Sequence, residues 1–129
     1  MVEQFSLFVQ WFIDKQHKER WLYLSEKGMD KVYKNSNQLE KHLDERYCYL
    51  VEKNAMQLVL GLLDQYKLDE GFYISFHDYD PSRRIKRREW SAIVSVEYII
   101  IYPNDNLAFY FHHEGWIWVC DRKSNPCTK

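Results

Sequence analysis

The chain of 129 residues has few of the residues that interrupt regular structure, with only 4 Gly and 3 Pro. We find no linker, internal repeat or low-complexity tract. No apolar run approaches the roughly 20 residues that a membrane-spanning helix needs. Residues 1–4 include an acid and no basic residue, so we expect no signal peptide and no contact with a membrane.

Cysteine is also scarce. The three cysteines are Cys48, Cys120 and Cys127, an odd number with no Cys-x-x-Cys pair. This argues against a disulfide framework and against a zinc ribbon. A reducing cytoplasm is the simplest location for such a chain. Cys120 and Cys127 could still pair after oxidation.

Sequence motifs of catalysis are missing as well. There is no Gly-rich phosphate loop, no Gly-x-Ser-x-Gly elbow and no His-Glu-x-x-His helix. Glu97 lies in a predicted strand but lacks the Glu-x-Lys spacing of restriction-type nucleases. His17 and His42 are isolated in charged, helical surroundings and are expected on the surface. We therefore expect a protein that is not an enzyme and uses no cofactor.

Two short segments contain residue types that bind metals. Neighbouring strand residues point to opposite faces, so His112 and His113 would bind one ion only if a turn bent them together. Asp78 and Asp80 share a face, but Asp80 precedes a proline, which is ordinary turn chemistry. We expect no metal site, and a metal-dependent enzyme that uses these residues remains an alternative.

What the chain has in abundance is apolar and aromatic surface. Hydrophobic residues make up 46% of the chain and aromatic residues 17%. Aromatic side chains bury the most area per residue, so this supply favours a packed core. A chain of this length is typical of one domain, which we place at residues 1–129.

Apolar residues recur at helical spacing before Gly71, which predicts that residues 1–70 are mainly helical and that Gly71 ends this half. Asn37 and Glu40 resemble a capping box that opens one of the helices. Residues 21–24 would also fit a short strand. The predicted helices cover about residues 3–16, 19–34, 37–51 and 55–66.

After Gly71 the apolar period changes to two, which predicts antiparallel strands over residues 72–120 and a tail at 121–129. The fold class is therefore α+β, with N-terminal helices packed on one face of a C-terminal four-stranded antiparallel meander. Aromatic residues alternate onto both faces, so some could meet a partner. The predicted strands cover about residues 72–77, 90–100, 107–112 and 116–120.

Residues 83–88 concentrate positive charge in a predicted loop between the first two strands. Without these five cations, the 18 Lys and Arg of the chain fall to 13, against 19 Asp and Glu. Concentrated charge on an acidic molecule is a candidate contact surface for an anionic partner. The cations are Arg83, Arg84, Lys86, Arg87 and Arg88.

Tyr79 and Trp90 flank the basic segment and are candidate anchors beside it. Arg is suited to bidentate pairing with carboxylate or phosphate, so the partner could be an acidic protein or a nucleic acid. One cluster is modest for a nucleic-acid binder, and the acidic remainder would repel a long polyanion. A protein partner is therefore favoured. The alternative is that the basic segment has no binding function and is a solvated turn whose charges keep the sheet edge soluble.

In general character the chain resembles the small immunity proteins of bacterial polymorphic-toxin and contact-dependent inhibition systems. The shared features are length, cysteine usage, Tyr and Trp content, an acidic body, an α+β build and the lack of catalytic motifs. The resemblance involves no signature motif, so it assigns no residue. It implies a non-enzymatic cytoplasmic protein that forms a heterodimer with a cognate toxin and blocks the toxin's active site.

Overall fold

A computed structural model describes residues 3–76, 82–93 and 97–122, which form an α+β fold. Short 3₁₀ helices cover Ser36–Gln38, Glu40–His42, Arg87–Ala92 and Pro103–Asp105. None of the helices in the described ranges has both the length and the apolar character needed to cross a bilayer. The α-helices are α1 (Glu3–Phe12), α2 (Lys18–Lys27), α3 (Met29–Lys34) and α4 (Ala55–Tyr66), and the strands are β1 (Cys48–Val51), β2 (Glu70–Ser75), β3 (Ser82–Lys86), β4 (Tyr98–Tyr102), β5 (Leu107–Phe111) and β6 (Ile117–Asp121).

The strands form one antiparallel sheet in the order β1–β6–β5–β4–β2–β3. Strands β4, β5 and β6 form a meander, and the hairpin of β2 and β3 pairs with it through β2 and β4. The prediction of four strands was therefore wrong in number. The two additional strands, β1 and β3, are the two edges of the sheet.

Strand β1 lies where the sequence pattern predicted a helix over residues 37–51. The helical residues end at His42, and Cys48–Val51 pairs residue by residue with β6. The predicted capping box is not formed, because the Glu40 carboxylate accepts hydrogen bonds from Trp116 and Trp118 instead. Tertiary pairing thus outweighed the helical spacing of the apolar residues.

Helices cover both faces of the sheet, which corrects the prediction of one covered face. One apolar cluster joins α1, α2 and α3 to Ile99 and Ile101, while the other joins α4 to Ile100 and Tyr102. Successive residues of a strand point to opposite faces of the sheet. Both faces of β4 are buried, and this explains why the strand is apolar throughout.

The helical prediction for residues 19–34 is confirmed, with a break at Gly28 between α2 and α3. Gly28 has a φ of 125°, a conformation that side chains rarely adopt, and an added Cβ would lie 2.7 Å from Asp30 Oδ1. Glycine at this position permits the chain to change direction between the two helices.

The sequence suggested that Gly71 ends the helical half of the chain, and the structure corrects this prediction. Helix α4 ends at Tyr66, where Lys67 adopts a left-handed conformation with a φ of 56°. Gly71 lies inside β2, and a Cβ there would lie 2.8 Å from Tyr102 Cε1. The long strand predicted from Trp90 is also shorter, because residues 87–92 form a 3₁₀ helix and β4 starts at Tyr98.

Candidate functional site

The basic segment lies on the edge strand β3 and on the 3₁₀ helix that follows it, not in a hairpin loop. Ile85 explains this placement. It stands opposite Gly71 in the β2–β3 pair, and its side chain is fully buried in the cluster on the α4 face. One buried residue among five cations therefore anchors the segment as a strand.

Arg83 and Arg84 are exposed and point to opposite faces of the sheet edge. The guanidinium of Arg83 lies 4.9 Å from the ring centre of Tyr73, and that of Arg84 lies 5.7 Å from the ring centre of Phe72. Arg84 also lies 3.8 Å from the carboxylate of Glu70. The two guanidinium groups therefore lie over rings of β2, on opposite faces of the sheet.

The other cations of the segment differ in their contacts. Arg87 forms an ion pair with Asp64, and its backbone N–H donates to Asp69, so its side chain is tied to the α4 side. Arg88 is exposed. Within the part of the chain that the structure describes, Arg83, Lys86 and Arg88 form no ion pair.

Trp90 lies beside these cations and lines a groove of about 580 Å³. Its ring packs edge-on against Phe111, with 5.7 Å between the ring centres. Its indole Nε1 is buried and has no hydrogen-bond partner among the described residues. Tyr79, the other predicted anchor, lies outside the described residues, as do Asp78 and Asp80. The groove is lined by Met56, Leu60, Asp69, Arg87, Arg88, Trp90 and Ser91.

A second site, which the sequence reasoning missed, centres on the carboxylate of Glu97. Glu97 precedes β4 and is only 2% exposed. It accepts a 2.7 Å hydrogen bond from the Tyr110 hydroxyl and lies 2.6 Å from His113 Nδ1. The bond to Glu97 raises the pKa of His113, while burial and Glu97 together raise the pKa of Tyr110. The signal in the sequence was an acid within a segment of apolar residues.

His112 and His113 lie together, contrary to the expectation that they point apart. A turn closed by Gly115 follows β5, and the two rings stack with 4.1 Å between their centres. His112 Nε2 lies 2.7 Å from Glu40 Oε1, and His112 Nδ1 accepts the backbone N–H of Glu114. One contact from Glu40, distant in the chain, and one from the adjacent turn thus fix the His112 ring.

Glu97, His112 and His113 each place one ligand-type atom within 4.8 Å of the others. Two imidazoles and a carboxylate are a donor set that suits zinc or another first-row transition metal. Both nitrogens of His112 are already hydrogen-bonded, to Glu40 and to Glu114. A metal at this position would therefore replace contacts that the protein makes for itself.

Glu40 connects this network to β6. Its Oε2 atom accepts hydrogen bonds from the indole N–H groups of Trp116, at 3.3 Å, and Trp118, at 3.2 Å. The partners are 76 and 78 positions away along the chain, so no local pattern indicates the contact. The Trp116 ring also stacks on His112, with 4.7 Å between the ring centres.

His17 and His42 form a third cluster, which corrects their placement as isolated surface residues. Their rings stack with 3.6 Å between the centres. Asp14 lies 2.6 Å from His17 Nδ1, and Trp21 Nε1 donates to His42 Nδ1 over 3.0 Å. Burial, aided by the neighbouring His17, lowers the pKa of His42. The cluster connects α2 to the 3₁₀ helix at Glu40–His42.

Comparison of the chain with known protein families, with curated proteins and with solved structures finds no significant match.

Proposed function

We propose that this chain is a non-enzymatic protein-binding inhibitor that docks an acidic segment of its partner along β3. The observation that supports the proposal is a sheet edge that is open to a further strand and lies beside exposed cations. Among the strands of the described residues, β3 pairs with β2 alone; Arg83 and Arg84 are exposed on β3, and Arg88 is exposed in the 3₁₀ helix that follows it. An unpaired strand edge offers backbone N–H and C=O groups that an extended segment of a partner can pair with.

The groove beside Trp90 also supports docking of a partner along β3. It lies at the end of β3, next to Arg87 and Arg88, and includes the apolar side chains of Met56 and Leu60. A buried aromatic contact next to exposed charge is typical of interfaces in which charge sets the approach and the apolar anchor supplies affinity. The exposed cations would therefore mainly accelerate association.

The partner class that fits best is a bacterial toxin domain, with this chain as its cognate immunity protein. The support is the general resemblance to such proteins, together with an acidic body that carries one basic edge. Binding would form a heterodimer in the cytoplasm and block the toxin's active site sterically, without chemistry by this chain.

The inhibitor class is tested by co-expression with the toxin domain of a secreted protein encoded next to this chain. Growth should be restored by this chain and lost again in the Arg83→Glu/Arg88→Glu variant. A control variant with the same change in charge reverses the exposed Lys31, in α3, and Lys53, just before α4, and should protect fully. Failure of the unmodified chain to protect would overturn the proposal.

A nucleic-acid-binding regulator is the second candidate, because Arg83 and Arg88 would equally suit phosphate groups. The two candidates separate in a titration of the purified protein with an Asp-rich strand-forming peptide and with a single-stranded DNA oligonucleotide. Backbone amide shifts of β3 with the peptide alone support the inhibitor. DNA binding that weakens steeply with salt supports the regulator.

A further inference from the structure

We propose that Cys48 and Cys120 are a redox pair that closes a disulfide between the edge strand β1 and its neighbour β6. The two residues stand directly opposite each other in the β1–β6 ladder. Both side chains are buried in the cluster that includes α1, α2 and α3, so both point to the same face of the sheet. This pairing differs from the Cys120–Cys127 pair suggested by the sequence. Cys127 lies outside the described residues.

The hydrogen bonds around β1 define the geometry of the pair. The backbone N–H of Cys48 donates to Asp44 O, so it does not bond to Cys120. At the adjacent position, Asp121 N donates to Tyr47 O over 2.9 Å. Ladder bonds alternate along antiparallel strands, so Cys48 and Cys120 occupy a non-hydrogen-bonded position.

A non-hydrogen-bonded position brings the two side chains closest together. Opposite Cα atoms there are about 4.5 Å apart, and a disulfide spans Cα separations of about 4.4–6.8 Å. Contact between the thiols agrees with this, because burial and the Cys48 thiol together raise the pKa of Cys120. Only a small adjustment of the strands is needed to form the bond.

The reaction partner is a low-molecular-weight disulfide such as glutathione disulfide. Cys48 is at the sheet edge and is 5% exposed, whereas Cys120 is fully buried. The Cys48 thiolate therefore attacks first and forms a mixed disulfide, releasing one glutathione thiolate. Cys120 then loses its proton to solvent, attacks the Cys48 sulfur and releases the second glutathione. Two electrons pass from the cysteine pair to the oxidant.

Access to the pair depends on local opening of β1. This strand has four residues and, within the described ranges, pairs with β6 alone, so it can open without unfolding the rest of the sheet. Oxidation would then tie the edge to β6 and stop that opening. The pair thus couples the mobility of one sheet edge to the redox state of the surroundings.

The test treats the full-length chain and its Cys127→Ser variant with graded ratios of oxidised to reduced glutathione. One sample of each is treated in the folded state, and another is refolded in the same buffer so that access is not limiting. We expect the variant to lose both free thiols, peptide mapping to join Cys48 to Cys120, and the melting temperature to rise by roughly 10 °C.

Two free thiols in the refolded variant, or glutathione adducts on both cysteines, would overturn the proposal. A Cys120–Cys127 bond as the main product in the full-length chain would overturn it as well. The Cys48→Ser/Cys127→Ser variant is the matched control, because its single remaining thiol can form no intrachain disulfide. The oxidation rate of the folded Cys127→Ser variant should rise in urea too dilute to unfold the protein.

Discussion

The Tyr110 hydroxyl donates a 2.7 Å hydrogen bond to the carboxylate of Glu97, and both side chains are buried. A hydrogen bond to a charged group contributes more to stability than one between neutral groups. Tyr102 provides the opposite case in the same sheet, because its hydroxyl is buried without a hydrogen-bond partner among the described residues.

Removing these two hydroxyl groups should therefore have different effects on the free energy of unfolding. Tyr110→Phe should destabilise the protein by roughly 1.5–3 kcal/mol, because the buried Glu97 carboxylate loses a donor. Tyr102→Phe should be neutral or stabilising, because it removes a buried polar group that gains nothing from the protein. Urea unfolding of both variants measures the difference, and equal losses would contradict the assignment.

Two glycines that look equivalent in the sequence should respond differently to alanine. A Cβ at Gly71 would lie 2.8 Å from Tyr102 Cε1 and 3.0 Å from the carbonyl oxygen of Ile101, so Gly71→Ala should destabilise the sheet. We expect a loss of roughly 1–3 kcal/mol from overpacking.

The matched control is Gly61, which lies inside α4 with nothing within 4 Å of an added Cβ. Gly61→Ala should stabilise the protein by up to about 1 kcal/mol, since alanine is the better helix former. Thermal melts of the two variants should shift in opposite directions. A shift in the same direction would show that the close approach of Tyr102 is wrong.

His42 and His113 should titrate on opposite sides of their ordinary pKa of 6.5. Burial lowers the pKa of His42, whose Nδ1 must stay unprotonated to accept the hydrogen bond from Trp21. The bond to Glu97 raises the pKa of His113. Ring resonances followed by NMR across the neutral range should give the two midpoints, and the reverse order would contradict both contacts.

The two histidines also contribute to stability with opposite signs. For His42 the unfolded chain binds the proton more readily, so its contribution is lost as pH falls from 6.5 toward the folded pKa. For His113 the folded chain binds the proton more readily, so its contribution is lost as pH rises from 6.5 through the folded pKa. The His113 contribution is small because its side chain is 48% exposed.

The spacing of apolar residues predicted those helices and strands whose buried positions recur regularly along the element. Helix α4 was placed at its observed bounds, because its apolar side chains recur at helical spacing and pack on the sheet. The central strands β2, β4 and β5 were recognised from an apolar period of two, although their ends shifted. Such an element is visible in the sequence because its buried positions recur at the fixed spacing of a helix or a strand.

The edges of the sheet were missed because each is defined by its neighbour. Strand β1 has only four residues, and its apolar side chains fitted a helix equally well. Strand β3 is recognisable only through Ile85, a single buried residue among cations. A short edge strand is stabilised by pairing with a strand distant in sequence, and such pairing leaves little local pattern.

The sequence by itself determined the α+β class, the basic character of residues 83–88 and helix α4. Only the tertiary structure decided that helices cover both faces, that the cations line an edge strand, and that Glu40, Glu97 and the histidines meet. The physical reason is distance along the chain. Burial patterns act within one element, whereas a hydrogen bond such as that between Glu40 and Trp118 joins residues 78 positions apart.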